Sequence, residues 1–200
     1  FFTEDSQEVA DEINKLISVQ NPVLVANFGI EIHEHSTEKE NVIYSNRLHK
    51  PLYRINKVIE AFYRFLQTNP SESWRLVIGA VGTETDKLKE MAKELGIENQ
   101  VEFIGWVDAE INRNWYAKSK FWISLPESDA TSISLLEAMA YGCVPVVSDL
   151  PSNKEWIKNG ENGFIVRDLE KEYLSDMLIV NLEKAININK ERPKLHGNLF

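Results

Sequence analysis

The sequence predicts an α/β domain in which helices cover both faces of a doubly wound, mainly parallel sheet, as in Rossmann-like proteins. Short apolar runs such as RLVIG, FWISL and VPVVS are each followed by a segment with helical spacing. Near-continuous apolar strands of this kind are typical of parallel sheets that are buried on both faces. With 200 residues, the chain has room for one good-sized domain, or for one domain and part of a neighbour.

The amino-terminal part does not share this alternation. Residues 1–20 predict an acidic amphipathic helix, because apolar side chains recur at helical spacing, and Pro22 ends it. Residues 23–26 predict a short strand. The polar and charged residues 31–41 predict a linker. The main domain therefore begins near residue 42.

From there, strands and helices alternate strictly. The predicted strands are 42–45, 74–79, 101–105, 121–125, 144–148 and 164–166. The predicted helices are 56–67, 85–95, 112–119, 132–141, 152–158 and one from about residue 169 onward. Gly96 and Gly142 are placed to end two of these helices. Ligands bind at the carboxyl ends of such strands, so the loops after residues 45, 79, 105, 125 and 148 are the candidate site.

Composition narrows the class of protein. A net charge of −9 argues against nucleic acid, whose phosphates require clustered Lys and Arg. It leaves room for an anionic ligand held by local N–H groups and a few cations. The single cysteine, Cys143, lies among apolar residues and predicts a buried thiol in a reducing compartment. No apolar run is long enough to span a bilayer, so we expect a cytoplasmic protein.

The loop after residue 125 carries a carboxylate, Asp129, followed by small hydroxyl residues that open a helix. Thr131 or Ser132 is a natural N-cap, and the N–H groups and dipole of the helix favour a phosphate there. Alternatively, Ser132 and Ser134 merely cap the helix. Glu137 lies early in the helix and is either part of the site, a solvated side chain or a partner in an intrahelical ion pair.

Cations follow the first main strand, among them Arg47, Lys50 and Arg54. In an acidic chain they indicate a diphosphate clamp, although solvated loop charges are the alternative. The loop with Trp106 and Val107 offers an aromatic face and main-chain groups to a nucleobase, unless Trp106 only packs. The histidines are scattered and lack zinc-like spacing with cysteine. Nucleotide-binding GxGxxG and Walker motifs are absent, as is the GxSxG elbow.

Together these loops resemble the donor-binding domains of retaining glycosyltransferases of family four, which have the GT-B fold. The specific motifs are SLLEAMAYGCVPVVSD and EWIKNGENGFIV, and ANFGIE looks like the hinge between the acceptor and donor domains. The resemblance implies that this chain forms one half of a GT-B fold. Residues 1–22 would be the tail of the N-terminal acceptor domain, residues 23–41 the hinge or linker, and residues 42–200 the donor-binding domain.

The family signature is two glutamates separated by seven residues. In this chain it places Asp129 at the first acid, one methylene shorter than the family's glutamate, and Glu137 at the second. The resemblance implies that Asp129 contacts the transferred sugar and that Glu137 binds the ribose hydroxyls. Backbone groups near the helix start would bind the sugar and phosphates; they belong to Thr131, Ser132 and Ile133.

The resemblance also assigns the diphosphate to Arg47, which would stabilise the charge on the departing nucleotide. The family's partner cation falls near Tyr53 or Arg54; we assign the role to Arg54, with Lys50 as the fallback. Arg47, Asp129 and Glu137 are thus the predicted catalytic residues. No metal or other cofactor is expected, because cations fill that role and an Asp-x-Asp motif is absent.

The implied activity is transfer of a hexose from a UDP- or GDP-sugar to a glycan or lipid-linked acceptor, as in polysaccharide biosynthesis. The acceptor would bind through the missing N-terminal domain, so we expect this chain alone to bind nucleotide and turn over little sugar. Peripheral contact with the inner face of the membrane is left open, because it would depend on the absent domain. The alternatives are a nucleotide-sugar epimerase or phosphorylase on the same scaffold, and a non-catalytic α/β binding module.

Overall fold

Eight strands and six α-helices are defined in the computed structural model, which describes residues 3–4, 7–16, 23–25, 38–68 and 73–167. The strands are β1 (Thr3–Glu4), β2 (Leu24–Val25), β3 (Glu40–Ser45), β4 (Arg75–Gly79), β5 (Val101–Gly105), β6 (Ser119–Ser124), β7 (Val144–Ser148) and β8 (Phe164–Val166). The helices are α1 (Gln7–Leu16), α2 (Ile55–Thr68), α3 (Thr85–Glu94), α4 (Ala109–Lys118), α5 (Ile133–Ala140) and α6 (Pro151–Lys154).

The main sheet has six strands in the order β5-β4-β3-β6-β7-β8, and every neighbouring pair is parallel. Within this sheet the chain first forms β3 in the middle and then runs outward through β4 to β5 at one edge. It returns to form β6 on the other side of β3. This is the strand order of the Rossmann fold, in which ligands bind where the order reverses. The reversal lies between β3 and β6. The predicted fold class is therefore confirmed, including helices on both faces.

Two hydrophobic cores lie on opposite faces of this sheet. One packs α2 and α3 against the strands and includes Phe62, Phe65 and Trp74. The other packs α4 and α5 and includes Tyr116 and Trp122. Because side chains alternate along a strand, β3 sends Ile43 into the first core and its neighbours into the second, which anchors it firmly in the middle of the sheet.

Lys39 fixes the chain where it enters β3. Its ammonium group donates hydrogen bonds of 2.7 Å to the carbonyl oxygens of both Tyr116 and Tyr141. These carbonyls lie at the carboxyl ends of α4 and α5, where unpaired acceptors and the helix dipole favour a cation. A single side chain in the predicted linker thus holds two helices of the main domain.

The amino-terminal part differs from the prediction of one helix over residues 1–20. Of the described residues in this stretch, Gln7–Leu16 are helical, and Thr3–Glu4 form β1, which pairs in parallel with β2. Because Thr3 and Glu4 pair with β2 in an extended conformation, they are not part of the helix. Glu40 and Asn41, predicted as linker, belong to β3. The predicted hinge motif, ANFGIE at residues 26–31, lies outside the described residues.

Two helices also differ from their predicted limits. Helix α4 begins at Ala109 rather than at residue 112, because the Asp108 side chain accepts a hydrogen bond from the Ile111 N–H and caps it. Helix α6 ends at Lys154 rather than at residue 158. The helix predicted from residue 169 lies outside the described residues. In the described part of the chain, no helix is long and apolar enough to cross a membrane.

Candidate functional site

The loops after β3 and β6 meet at the point where the strand order reverses. The backbone N–H of Glu127 donates to the carbonyl oxygen of Leu52 at 2.9 Å. Arg54 donates from Nε to the Leu125 oxygen and from Nη2 to the Pro126 oxygen, each at 2.8 Å. These bonds join the two loops before any ligand arrives, so the side chains that they carry are held in a fixed relation.

Arg47 lies at the centre of this junction. Its Nη2 forms an ion pair with Asp129 Oδ2 at 2.6 Å, and its Nη1 donates to Ser132 Oγ at 2.8 Å. The guanidinium lies over the ring of Tyr53, 4.6 Å from its centroid, a cation–π contact. Nε is buried without a hydrogen-bond partner among the described residues. The structure thus brings Arg47 together with Asp129 and Ser132, which lie 82 and 85 residues away in the sequence.

Ser132 is the N-cap residue of α5, but its side chain makes no capping hydrogen bond. The hydroxyl is occupied by Arg47 instead. The expectation that Ser132 merely caps the helix is therefore wrong for its side chain. The first N–H groups of a helix have no intrahelical acceptor, and those of α5 open beside a guanidinium. The arrangement favours an anion at this position.

Glu137 lies one turn into α5 and is half-buried. Its Oε2 accepts a hydrogen bond of 3.1 Å from Tyr116 Oη. Burial, and to a lesser extent the charge of Glu137, raises the pKa of Tyr116 well above the usual range of a phenol. Tyr116 therefore remains protonated and acts as the donor. This contact replaces the intrahelical ion pair that the sequence left open.

Asn46 is a residue of this site that the sequence analysis missed. It follows β3 directly and accepts a hydrogen bond from the indole N–H of Trp122 at 2.9 Å. Its amide nitrogen donates to Tyr116 Oη at 2.8 Å and to Asn112 Oδ1 at 2.9 Å. The available signal was its position, since a polar residue that directly follows a buried central strand reaches the ligand edge of the sheet.

The remaining predicted residues line the same edge. Trp106 is 71% exposed, so the alternative that it only packs is wrong. Val107 lies behind it, half-buried, and a Cβ on Gly79 would stand 3.3 Å from Val107 Cγ2. Lys50 is exposed, and Ile133 is 48% exposed at the start of α5. Arg54, in contrast, donates hydrogen bonds from Nε and Nη2 to backbone carbonyl oxygens.

His49 joins the loop after β3 to the loop after β4. It is 1% exposed; its Nδ1 is 2.8 Å from Thr85 Oγ1 and its Nε2 is 3.2 Å from the Gly79 carbonyl oxygen. Gly82 passes so close that a Cβ there would collide with the His49 carbonyl oxygen. Burial, helped by the charge of Lys89 and opposed by the Gly79 hydrogen bond, lowers the pKa of His49.

This depressed pKa predicts a stability that falls in acid. An unfolded histidine binds a proton near pH 6.5, whereas folded His49 does so only at lower pH. Acidification from about pH 7.5 to about pH 5.5 therefore favours the unfolded chain, which holds more protons. We expect the free energy of unfolding in urea to decrease over this interval, and His49→Gln to remove part of the decrease. An identical pH slope in both proteins would contradict this account.

Within the described residues, no group of three or more His, Cys, Asp or Glu side chains could hold a metal ion. Cys143, predicted to be a buried thiol, is buried, and its sulfur lies 3.1 Å from the Tyr116 carbonyl oxygen. It lies at the opposite end of α4 from the site.

An open parallel sheet whose strand order reverses at its centre defines a Rossmann-like domain. The family model of "Glycosyl transferases group 1" matches residues 27–196. The chain belongs to this family. Membership confirms the predicted glycosyltransferase class.

The chain is also similar to individual proteins in sequence or in fold. An uncharacterized glycosyltransferase of Haemophilus influenzae is 28% identical over 184 residues, covering 88% of this chain and 49% of that protein. A mutant of TarM from S. aureus, solved with fondaparinux, alpha-GlcNAc-glycerol and UDP, superposes with a TM-score of 0.83 at 16% identity, over 96% of this chain and 39% of that one. HepE from Anabaena, solved with UDP and glucose, superposes with a TM-score of 0.79 at 16% identity. The superposition covers 96% of this chain and 57% of HepE. The chain thus spans only part of each of these proteins.

Proposed function

We propose that this chain is the C-terminal, nucleotide-sugar-binding domain of a retaining glycosyltransferase. Its donor is a UDP- or GDP-hexose, and its acceptor is a glycan or a lipid-linked sugar. In this proposal residues 1–22 are the tail of the acceptor domain, residues 23–41 the hinge, and residues 42–200 the donor domain. Acceptor binding, and any peripheral contact with the inner face of the membrane, belong to the N-terminal domain.

One observation carries the proposal. At the reversal of the strand order, a single guanidinium lies between the carboxylate of Asp129 and the start of α5, 2.6 Å from the first and 2.8 Å from Ser132 Oγ. A diphosphate needs a cation and unpaired N–H groups side by side, and the transferred sugar needs a carboxylate within reach. Arg47, α5 and Asp129 supply these three requirements within one cleft.

In this function Arg47 binds the diphosphate and stabilises the negative charge that develops when the bond between sugar and phosphate breaks. For the second cation the geometry favours Lys50, which is exposed, over Arg54, which holds the β6 loop. Arg54 then acts by keeping the loops together.

The two acids, Asp129 and Glu137, bind different sugars of the donor. Asp129 binds hydroxyls of the transferred hexose, and Glu137 accepts hydrogen bonds from the ribose. Backbone groups of Thr131, Ser132 and Ile133 contact the sugar and the phosphates. The exposed ring of Trp106 and the main chain at Val107 accommodate the base. The uridine nucleotide in the HepE and TarM structures supports UDP as the first candidate.

Calorimetric titration of the 200-residue chain with UDP, GDP and ADP tests the proposal directly. We expect one of the three to bind, and we expect the corresponding nucleotide sugar to be turned over slowly or not at all without an acceptor domain. Failure of all three nucleotides to bind would refute the assignment of a donor site. A tight complex with ADP alone would instead redirect the choice of donor.

A further inference from the structure

A chain of hydrogen bonds between side chains runs beneath the candidate site to Glu137. Trp122 Nε1 on β6 donates to Asn46 Oδ1 at 2.9 Å. Asn46 Nδ2 donates to Tyr116 Oη at 2.8 Å, and Tyr116 Oη donates to Glu137 Oε2 at 3.1 Å. Trp122 and Tyr116 are fully buried. The sheet, α4 and α5 are thereby connected through polar atoms to one carboxylate.

The direction of each bond follows from chemistry. An indole N–H can only donate, so the oxygen of the Asn46 amide must face Trp122 and its nitrogen must face Tyr116. The phenol oxygen of Tyr116 accepts from that nitrogen, and the neighbouring Ser134 hydroxyl can donate to the same oxygen, so the proton of Tyr116 is directed to Glu137 Oε2. The raised pKa of Tyr116 keeps this proton in place across the physiological range. Glu137 therefore always receives a hydrogen bond from a neutral donor.

A second branch prevents the Asn46 amide from rotating. Its nitrogen also donates to Asn112 Oδ1 at 2.9 Å, and the same oxygen accepts from Tyr44 Oη at 2.6 Å. Both protons of the amide and its oxygen are thus occupied by oriented partners. A buried network in which every member is satisfied is rigid, because any rotation leaves a buried polar group unpaired.

We propose that Asn46 and Tyr116 are positioning residues that fix the Glu137 carboxylate for the ribose of the donor. The proposal rests on the proposed function, in which Glu137 binds the ribose hydroxyls. Tyr116 occupies Oε2 and leaves Oε1 for the ligand. A glutamate that is already held loses less conformational freedom when the ligand binds. The network therefore raises the preference of the site for ribonucleotides over nucleotides without these hydroxyls.

The test compares Tyr116→Phe with the unchanged chain, using UDP and its 2′,3′-dideoxy counterpart in calorimetry, or the GDP pair if GDP is the base that binds. The preference for the ribonucleotide, taken as the ratio of the two dissociation constants, is the readout. We expect Tyr116→Phe to reduce this ratio about tenfold, or ~1.4 kcal/mol. The loss should come from the ribonucleotide, while the dideoxynucleotide stays within about twofold, since it never contacts Glu137.

Asn46→Asp is the second variant, because it keeps the shape of the side chain but replaces the donor by an acceptor. A carboxylate facing Tyr116 would attract the phenol proton away from Glu137. We expect the same loss of ribose preference. Tyr63→Phe is the matched control: Tyr63 is half-buried on α2 against the opposite core. It removes the same hydroxyl without touching the network, and should leave the ratio unchanged.

The outcomes distinguish failure of the proposed function from failure of the positioning role alone. If the unchanged chain binds no nucleoside diphosphate, both the proposed function and this inference are overturned. If it binds and prefers the ribonucleotide but both variants keep that preference, only the positioning role is overturned. Equal weakening of both ligands would also overturn it, because a purely structural defect acts on the whole site. Thermal unfolding of each variant identifies such a defect. If one of the two variants does not fold, the ratio measured for the folded variant tests the positioning role.

Discussion

Replacement of Arg47 by methionine is expected to weaken the binding of a nucleoside diphosphate by about 30- to 1,000-fold, or roughly 2–4 kcal/mol. The Arg47 side chain is only 12% exposed. Solvent therefore screens its charge poorly, and losing that charge lowers the binding free energy by a large amount. Removing it also leaves Asp129 without its 2.6 Å ion pair, next to the position of the phosphates. Calorimetry with the nucleotide that binds best measures the effect.

The matched control is Arg75→Met, which makes the same change in net charge at the opposite edge of the sheet. Arg75 pairs with Glu40 and Glu102, and its side chain is 44% exposed. Exposed pairs of this kind contribute little, so nucleotide affinity should remain within about twofold. Comparable weakening by both variants would indicate a general effect of charge and would contradict a specific role for Arg47.

Arg47→Lys separates charge from shape. A lysine keeps the cation but lacks the fork with which Arg47 reaches Asp129 and Ser132 together. We therefore expect an affinity between those of the unchanged chain and of Arg47→Met. This intermediate result would show that bidentate geometry, and not charge alone, accounts for binding.

The sheet could be predicted from the sequence because its strands are buried on both faces. After its exposed first residue, Arg75, the run RLVIG has no polar position, which leaves a central parallel strand as the natural interpretation. The Gly96 helix end was predictable for a similar reason: it adopts φ +69°, a conformation that favours glycine. Where local chemistry alone determines the structure, the prediction agreed with it to within a residue or two.

The contacts that build the site were not predictable in the same way. Asn46 and Glu137 are joined through Tyr116, which comes from a third element, so no local pattern could indicate their connection. Arg54 shows the opposite case. The sequence presents it as one more cation near a diphosphate, and only the fold reveals that its Nε and Nη2 hold the carbonyls of the β6 loop. Motif reasoning identifies the residue types but not the partners that each one has already taken.

Asp129 is the site residue in which this chain departs from the family signature, and its ion pair gives the departure a measurable consequence. The carboxylate that should bind the sugar is bonded to the guanidinium that should bind the diphosphate. In the proposed function, an incoming diphosphate competes with Asp129 for Arg47. The ion pair then partly neutralises the site, lowers its affinity for the nucleotide and leaves full engagement to a ligand that offers Asp129 another partner.

Asp129→Asn is accordingly expected to act in opposite directions on two ligands. Without the competing charge, the nucleoside diphosphate should bind about five- to tenfold more tightly, or ~1–1.4 kcal/mol. The nucleotide sugar should gain less or lose affinity, because an amide oxygen accepts sugar hydroxyl bonds more weakly than a carboxylate. The ratio of the two dissociation constants, measured by calorimetry, is the decisive quantity.

Asp129→Glu provides the comparison for that ratio. The longer side chain restores the length found in the family signature and keeps the charge, so it should retain the preference for the nucleotide sugar that the asparagine variant loses. If Asp129→Asn leaves the ratio unchanged, the carboxylate does not contact the sugar. If it weakens the nucleoside diphosphate instead, the ion pair supports the geometry of Arg47 rather than competing with the ligand, since an arginine that is held in place by Asp129 would lose its orientation along with its partner.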